Sequence, residues 1–372
     1  MLPFTRPTIG DEEHAAIREV LDSGWLASGP KVLAFERALE DYIGGGVQVR
    51  VLNSATSALE AALLACDVGP GDEVIVPAMS FAATANVVVR VGARPVFVDV
   101  DLHTRNLDVT VVEAALSART RAVMPVHLCG LAVELAPIHD LAHRHRVTVV
   151  EDAAQAIGTS YGGRRLGASG NPVCFSFHPN KNITTIEGGC IASSDRRFIR
   201  RIERLRFHGI ERDADGNIDV PEWGGKWNMP DVGAALGLAQ LAQLDDFNRR
   251  RRALARRYLE RLPHHPALLP PADGAGHSWH MFCVCVDYAA LGTPRPAFQR
   301  ALAERGVGTG IHYPAIHLFG LYRRYGYAPG DFPNAERIGA QTLTLPLFPT
   351  MSAADVDHVC DALAELLTKG DS

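Results

Sequence analysis

Between residues 52 and 192 the chain alternates helical patterns with short, unbroken apolar runs, and this alternation restricts the fold more than any other feature. Helical periodicity covers residues 54–66, 82–91, 111–118 and 135–145. The runs at 73–76, 95–100, 122–126 and 147–151 read as strands, and 173–177 and 189–192 follow as two more. These runs are rich in valine and show no polar alternation, the pattern of strands buried on both faces. Helices between such strands imply mostly parallel pairing through right-handed crossovers, hence an α/β fold. In a sheet of that kind ligands collect at the carboxyl ends of the strands. The unusual polar residues of this chain fall there.

Beyond the alternation lies a polar excursion at 209–227, with Asp213, Asp215, Gly216, Asn217, Pro221, Gly224 and Gly225. Long loops inside compact domains are usually functional or disordered. A long helical stretch at 232–262 follows and Pro263 ends it, since proline cannot continue a helix. It reads as a connector into a C-terminal part with a strand at 281–286 and helices at 296–305 and 353–367. The expected division is a large domain at 1–245, with a helical lead-in, and a small domain at 246–372. A length of 372 residues can bury two such cores.

The net charge of −5 gives no reason to expect nucleic acid or an anionic membrane as partner. No apolar run approaches the roughly 18 residues of a membrane span. The N-terminus has acids early and does not resemble a leader. The seven cysteines, Cys66, Cys129, Cys174, Cys190, Cys283, Cys285 and Cys360, are scattered and odd in number. They suggest thiols used as small hydrophobes in a reducing, cytoplasmic setting. No zinc site completes itself around Cys283 and Cys285, and no metal is expected.

Three segments carry chemistry. At Asn53-Ser54-Ala55-Thr56-Ser57 a strand ends and a helix begins, so unpaired N–H groups and hydroxyls can seat an anion, or the serines can simply cap the helix. Asp152 stands where a buried strand gives out, either as a cap or as a carboxylate needing a cation such as a protonated pyridine nitrogen. Lys181 follows the strand that delivers Ser176, in a segment poor in other charge. It is either a surface lysine or a desolvated amine usable for Schiff-base chemistry. Phosphate cradle, carboxylate and amine together are what pyridoxal phosphate (PLP) requires. Phe81, after another strand, can flank its ring.

These motifs make the chain resemble the DegT/DnrJ/StrS family of PLP-dependent sugar aminotransferases. The likeness runs from Ser23-Gly24-Trp25-Leu26-Ala27-Ser28-Gly29-Pro30 through the three segments to Asn228, Ala234-Ala235-Leu236-Gly237-Leu238, Gly308-Thr309-Gly310-Ile311-His312-Tyr313-Pro314 and Leu345-Pro346-Leu347-Phe348-Pro349. The resemblance implies a fold-type I transferase: a large domain with a mostly parallel seven-stranded sheet flanked by helices, and a smaller α+β C-terminal domain. It implies that Lys181 holds PLP covalently, that Asp152 pairs with the ring nitrogen, and that Gln155 lies near the ring hydroxyl. Ala55, Thr56 and Ser176 would hold the phosphate, with Asn228 reaching it from a second subunit of a homodimer. His312, Tyr313, Trp25 and Lys31 would serve the substrate, and the 209–227 loop would lie near a subunit boundary.

The implied reaction takes an amino group from an amino acid, L-glutamate by resemblance, and leaves it on a nucleotide-linked keto-sugar. Phe207-His208-Gly209-Ile210 and the segment around Ser176 to Thr184 look closest to the branch acting on 4-keto hexoses. Sister branches act on 3-keto sugars or keto-inositols. A PLP-dependent sugar dehydratase would carry histidine in place of Lys181, and a PLP-binding regulator would want a basic or DNA-binding surface. Three further features have plain readings. His139, His143 and His145 suit a solvated helix face, His127 a satisfied core histidine, and the run Arg249 to Arg252 an exposed helix face.

Overall fold

Valine-rich runs cannot leave their backbone amides unpaired in an apolar interior, so they pair with each other. The computed structural model describes residues 1–368. In it these runs form β1 (Gln48–Leu52), β2 (Glu73–Pro77), β3 (Arg94–Val98), β4 (Thr120–Val123), β5 (Thr148–Val149, resumed at Glu151–Asp152), β6 (Val173–Ser176) and β7 (Gly189–Ser193). Pairing links them in the order β3-β2-β4-β5-β6-β7-β1. The first half of β5 pairs with β4 and the second half with β6. One seven-stranded sheet results, as the resemblance implied.

Its single departure from parallel pairing is β7, antiparallel to both β6 and β1. The link from β6 to β7, residues 177–188, contains no helix to carry the chain back across the sheet. It therefore returns directly, and the turn so formed carries Lys181. Helices Ala55–Ala65, Ala83–Arg90, Val109–Ala115 and Leu135–His145 make the crossovers between the other strands. All begin where strands give out at the carboxyl edge, which is why the polar residues converge there.

A second, antiparallel sheet joins β8 (Leu268–Leu269), β9 (Phe282–Val286) and β10 (Thr342–Leu345). Side chains of β9 alternate with period two, as strand geometry dictates. Phe282, Val284 and Val286 enter a C-terminal core with Leu254, Tyr258, Leu345, Val359 and Leu363. Met281, Cys283 and Cys285 point the other way, into the core that includes Val76, Met79 and Val126. Helix Asp231–Arg261 is shared: Ala234, Leu241 and Phe247 pack on Phe35 and Phe177, while Leu254 and Tyr258 pack on the C-terminal sheet. Its Gly237 lies so near Phe35 that an added Cβ would meet the ring at 2.6 Å. Residues 369–372 of the expected small domain lie outside the described residues.

The arginine run on this helix is not uniformly exposed. Arg249 and Arg250 are exposed and pair with Asp246. Arg251 is buried and donates to the carbonyls of Trp279, His280 and Leu347. Four consecutive residues are spread over roughly 300° of the helix circumference, too wide for one exposed face, so one of them faces inward.

Candidate active site

The helix that follows β1 builds the first part of the site. Ser54, in extended backbone, caps it by accepting the Ser57 N–H at 3.1 Å, and the Ser57 hydroxyl donates to Asn53 Oδ1 at 2.6 Å. The plain capping role thus holds for Ser54, while the Ser57 hydroxyl ties the turn to Asn53. The N–H groups of Ala55 and Thr56 find no acceptor among the described residues. Gly189 of β7 lies against this turn: a Cβ there would sit 2.4 Å from the Ala55 nitrogen. The absent side chain lets β7 and its partner Ser176 approach the helix start.

Asp152 closes β5 and is buried. Its Oδ2 accepts the Thr84 hydroxyl at 2.8 Å and its Oδ1 the Ala154 N–H at 3.1 Å. Both donors are neutral. Burial therefore dominates and raises the Asp152 pKa above the ordinary value, against the opposing pull of Thr84, Ala154 and Lys181. Lys181 sits in the turn after β6, whose first bond is Lys181 N–H to the His178 carbonyl at 2.8 Å. Its neighbour Asn182 anchors the turn by donating to Asn248 Oδ1 and the Ser278 carbonyl. Burial lowers the Lys181 pKa to about 8 although Asp152 pulls it upward.

These groups line one cleft of about 280 Å³ that also includes Phe81, Ser176, Gln155, His312 and Tyr313. The Phe81 and Tyr313 rings stand 5.7 Å apart at its mouth. Gln155 Nε2 donates to the Tyr313 hydroxyl at 3.3 Å, and Gln155 Oε1 accepts the Cys129 N–H at 2.8 Å. His312 Nδ1 lies 2.7 Å from the Thr344 hydroxyl. Burial, aided by Lys181, pushes His312 down to about 4, so it is neutral at pH 7.

Nine of the residues expected from sequence (Ala55, Thr56, Phe81, Asp152, Gln155, Ser176, Lys181, His312 and Tyr313) therefore share this cleft, and three do not line it in a single copy of the chain. Asn228 bridges to Leu52 at the cleft's edge, where its amide donates to the Ser28 hydroxyl. Trp25 is 58% exposed, with its indole N–H on the Ser28 carbonyl. The Lys31 ammonium pairs with Glu19 at 2.7 Å. Thr84 and Ser80 were missed, although both belong to the Phe81 segment. The available signal for Thr84 is a hydroxyl one helical turn beyond Phe81, and Ser80 acts through it, its hydroxyl 2.7 Å from that of Thr84. His127 is a satisfied core residue, accepting the Val133 N–H at Nδ1 and facing Glu151 through Nε2. His139 is not simply solvated, because its Nε2 lies 3.3 Å from Glu151. Among the described residues no metal-binding cluster exists and no helix is long and apolar enough to cross a membrane.

The model of the DegT/DnrJ/EryC1/StrS aminotransferase family matches residues 7–364. Among solved structures, S. venezuelae DesV in complex with a ketimine intermediate is 36% identical, with a TM-score of 0.89 over 95% of this chain and 94% of that one. Spr1654 from Streptococcus pneumoniae, a candidate sugar aminotransferase in its PMP form, is 30% identical, with a TM-score of 0.93 and full coverage of both chains. Helicobacter pylori PseC, an aminotransferase of pseudoaminic acid biosynthesis, is 27% identical, with a TM-score of 0.92 over 99% of each chain.

Proposed function

The chain belongs to the DegT/DnrJ/EryC1/StrS aminotransferase family and is a PLP-dependent sugar aminotransferase, and on that premise we propose that it moves an amino group from L-glutamate to a nucleotide-linked 4-keto hexose in amino-sugar biosynthesis. One observation carries the PLP chemistry of this reading: a buried carboxylate short of a cation and a desolvated amine face one cleft beside an unpaired helix N-terminus. The choice of glutamate and a 4-keto hexose rests on the family resemblance, for the hexose on Phe207-His208-Gly209-Ile210 and the segment around Ser176 to Thr184.

The residues present fit PLP. Asp152 is met only by neutral donors, which suits the N–H of a protonated ring. The unpaired Ala55 and Thr56 amides, with the Ser176 hydroxyl, suit a phosphate. When bound, PLP supplies an aldehyde that takes up amines and a ring that accepts the electrons freed at the substrate carbon. Lys181 Nζ, with its lowered pKa, takes the proton from the amine-bearing carbon of the donor and later delivers one to the sugar carbon. Asp152 keeps the ring nitrogen protonated, and Thr84 holds the carboxylate in place for that task. Phe81 and Gln155, both lining the cleft, would flank the ring and face its hydroxyl. Neutral His312 and Tyr313 form the substrate-side wall, where they orient the sugar without adding charge.

The same reading keeps units 1–245 and 246–372 as the two walls of the cleft. It also includes a homodimer. Trp25, Ile218, Val220 and Trp223 are each more than half exposed, and the Trp223 ring stands 6.4 Å from Trp227, next to Asn228. Covering that surface with a second copy would bring Asn228, Trp25 and Lys31 to a shared site. The test is a panel of nucleotide-linked keto-sugars offered with glutamate to the PLP-loaded protein. The expected outcome is one 4-amino sugar formed in step with 2-oxoglutarate. Product from 3-keto sugars or keto-inositols alone would move the chain to a sister branch, and no transfer to any acceptor would overturn the reading.

A further inference from the structure

Two thiols meet where the main sheet faces the C-terminal sheet. Cys129 lies in the turn after β4, with a left-handed backbone at φ 56°, and Cys283 is the second residue of β9. Their sulfurs are 3.6 Å apart, although 154 residues separate them in sequence. The two segments are already joined by backbone bonds: His280 N–H donates to the Cys129 carbonyl at 2.9 Å, and Ser278 N–H to the Gly130 carbonyl at 3.3 Å. Relative sliding of the two sulfurs is therefore limited, and the pair is held together by the fold.

The surroundings favour an anionic sulfur. Arg105 is buried, and its Nε and Nη2 have no hydrogen-bond partner. Its charge opposes burial at all three nearby thiols, yet burial leaves Cys285 raised and, of the three, only Cys283 ends lowered. Cys129 donates to Cys283, so Cys283 is lowered while Cys129 is raised. An unpartnered buried guanidinium is costly unless an anion answers it. Cys283 is the thiol whose pKa ends below the ordinary value, chiefly through the Cys129 hydrogen bond and with Arg105 adding to it. The Thr344 hydroxyl, 3.3 Å from Cys283 Sγ, adds a hydrogen bond.

We propose that Cys129 and Cys283 are a reversible oxidation site, a dithiol that a peroxide converts to a disulfide bridging the two sheets behind the cleft. The Cys283 sulfur attacks the peroxide; an S–O bond forms, the O–O bond breaks, and the departing hydroxide takes a proton to become water. The Cys129 sulfur then attacks Cys283; the S–S bond forms, the S–O bond breaks, and a second water leaves with the Cys129 proton. Two thiols lose two electrons, and one hydrogen peroxide becomes two waters.

Bond formation brings the sulfurs from 3.6 Å to about 2.05 Å. Both ends are tied to the cleft. The Cys129 N–H holds Gln155, which reaches Tyr313. Thr344 joins Cys283 to His312. Oxidation therefore pulls on the His312-Tyr313 wall from two sides at once. The other thiols offer a contrast: Cys66 is the one not fully buried, yet burial pushes it up to about 12, which makes it a poor nucleophile.

The test is exposure of the PLP-loaded protein to hydrogen peroxide, alkylation in denaturant and non-reducing peptide mapping. Expected is a cross-linked peptide pair containing residues 129 and 283, with two of the seven thiols lost and both restored by dithiothreitol. Turnover should fall at least about tenfold and recover with the thiols. Cys129→Ala and Cys283→Ala, made separately, should each form no such peptide and keep their activity through the treatment. Free Cys129 and Cys283 after a peroxide dose that modifies Cys66 would overturn the proposal. So would a different cysteine pair in the cross-link. The peptide map does not depend on the substrate assignment, so the two can fail separately.

Discussion

Glu151 and Asp152 are adjacent carboxylates on one strand, both buried, and they face opposite sides of the sheet under opposite electrostatic regimes. Behind the sheet, burial raises Glu151 but His127 and His139 outweigh it, and its pKa ends below the ordinary value. The His127 tautomer follows from its bonds: Nδ1 accepts from Val133, so Nε2 carries the hydrogen that meets Glu151 at 3.2 Å. At the cleft, Asp152 has neutral donors and burial wins, so its pKa ends above the ordinary value. The lesson is one of charge: Glu151 has histidines of its own chain beside it, although its Oε1 accepts no hydrogen bond, whereas both Asp152 oxygens meet only neutral donors. A fold-stabilising carboxylate and a ligand-directed one differ here by a single residue.

The largest effect expected is at the amine that shares the Asp152 side. Lys181→Ala should reduce turnover by about 10⁴-fold or more with unchanged far-UV dichroism, because no other lysine lines the cleft. Next comes the pair itself. Asp152→Asn should lower kcat by about 10²–10³-fold, whereas Glu151→Gln should stay within about threefold of wild type, since it faces away from the cleft. Equal losses in steady-state assays would erase the distinction.

Stability should show the reverse order. In cofactor-free protein at pH 7, Glu151→Gln should cost about 1–3 kcal/mol in urea unfolding, because it strips a buried, paired charge from two histidines. Asp152→Asn should gain about 1 kcal/mol by removing an uncompensated one. The pH dependence follows from the directions. Glu151, depressed in the fold, adds stability above its unfolded value near 4.5, and this is lost as pH falls through the lower folded value. Asp152, raised in the fold, removes stability as pH climbs from its unfolded value near 3.8 through the higher folded one. Each variant should therefore flatten one side of the acid unfolding profile.

Smaller shifts sharpen the picture. Capture of PLP by the cofactor-free chain should speed up with pH and level off above about 8, because the neutral Lys181 amine is the reactive form. Stopped-flow absorbance would follow it, and a midpoint near the ordinary lysine value of 10.5 would mean the amine is not desolvated. Thr84→Val should lower kcat by about tenfold, roughly 1.4 kcal/mol, by freeing one Asp152 oxygen.

Much of this was legible in sequence where periodicity and chemistry coincide. Buried valine runs announced the sheet, and the segments that end in Asp152 and contain Lys181 stood out because charge is rare there. What escaped depends on partners distant in the chain. The antiparallel setting of β7 follows from a link without a helix. Arg251 faces inward because of helical phase, which its basic neighbours disguise. Thr84 gains its role only through Asp152, 68 residues on. The Cys129–Cys283 contact needs two sheets to meet, and no spacing rule reveals that.

The central claim is that the Lys181 amine is the covalent seat of the cofactor. Borohydride reduction of the PLP-loaded protein followed by peptide mass mapping tests it directly. The account predicts one phosphopyridoxyl group per chain, on Lys181. A label on another lysine, or none on a protein that has taken up PLP, would contradict it.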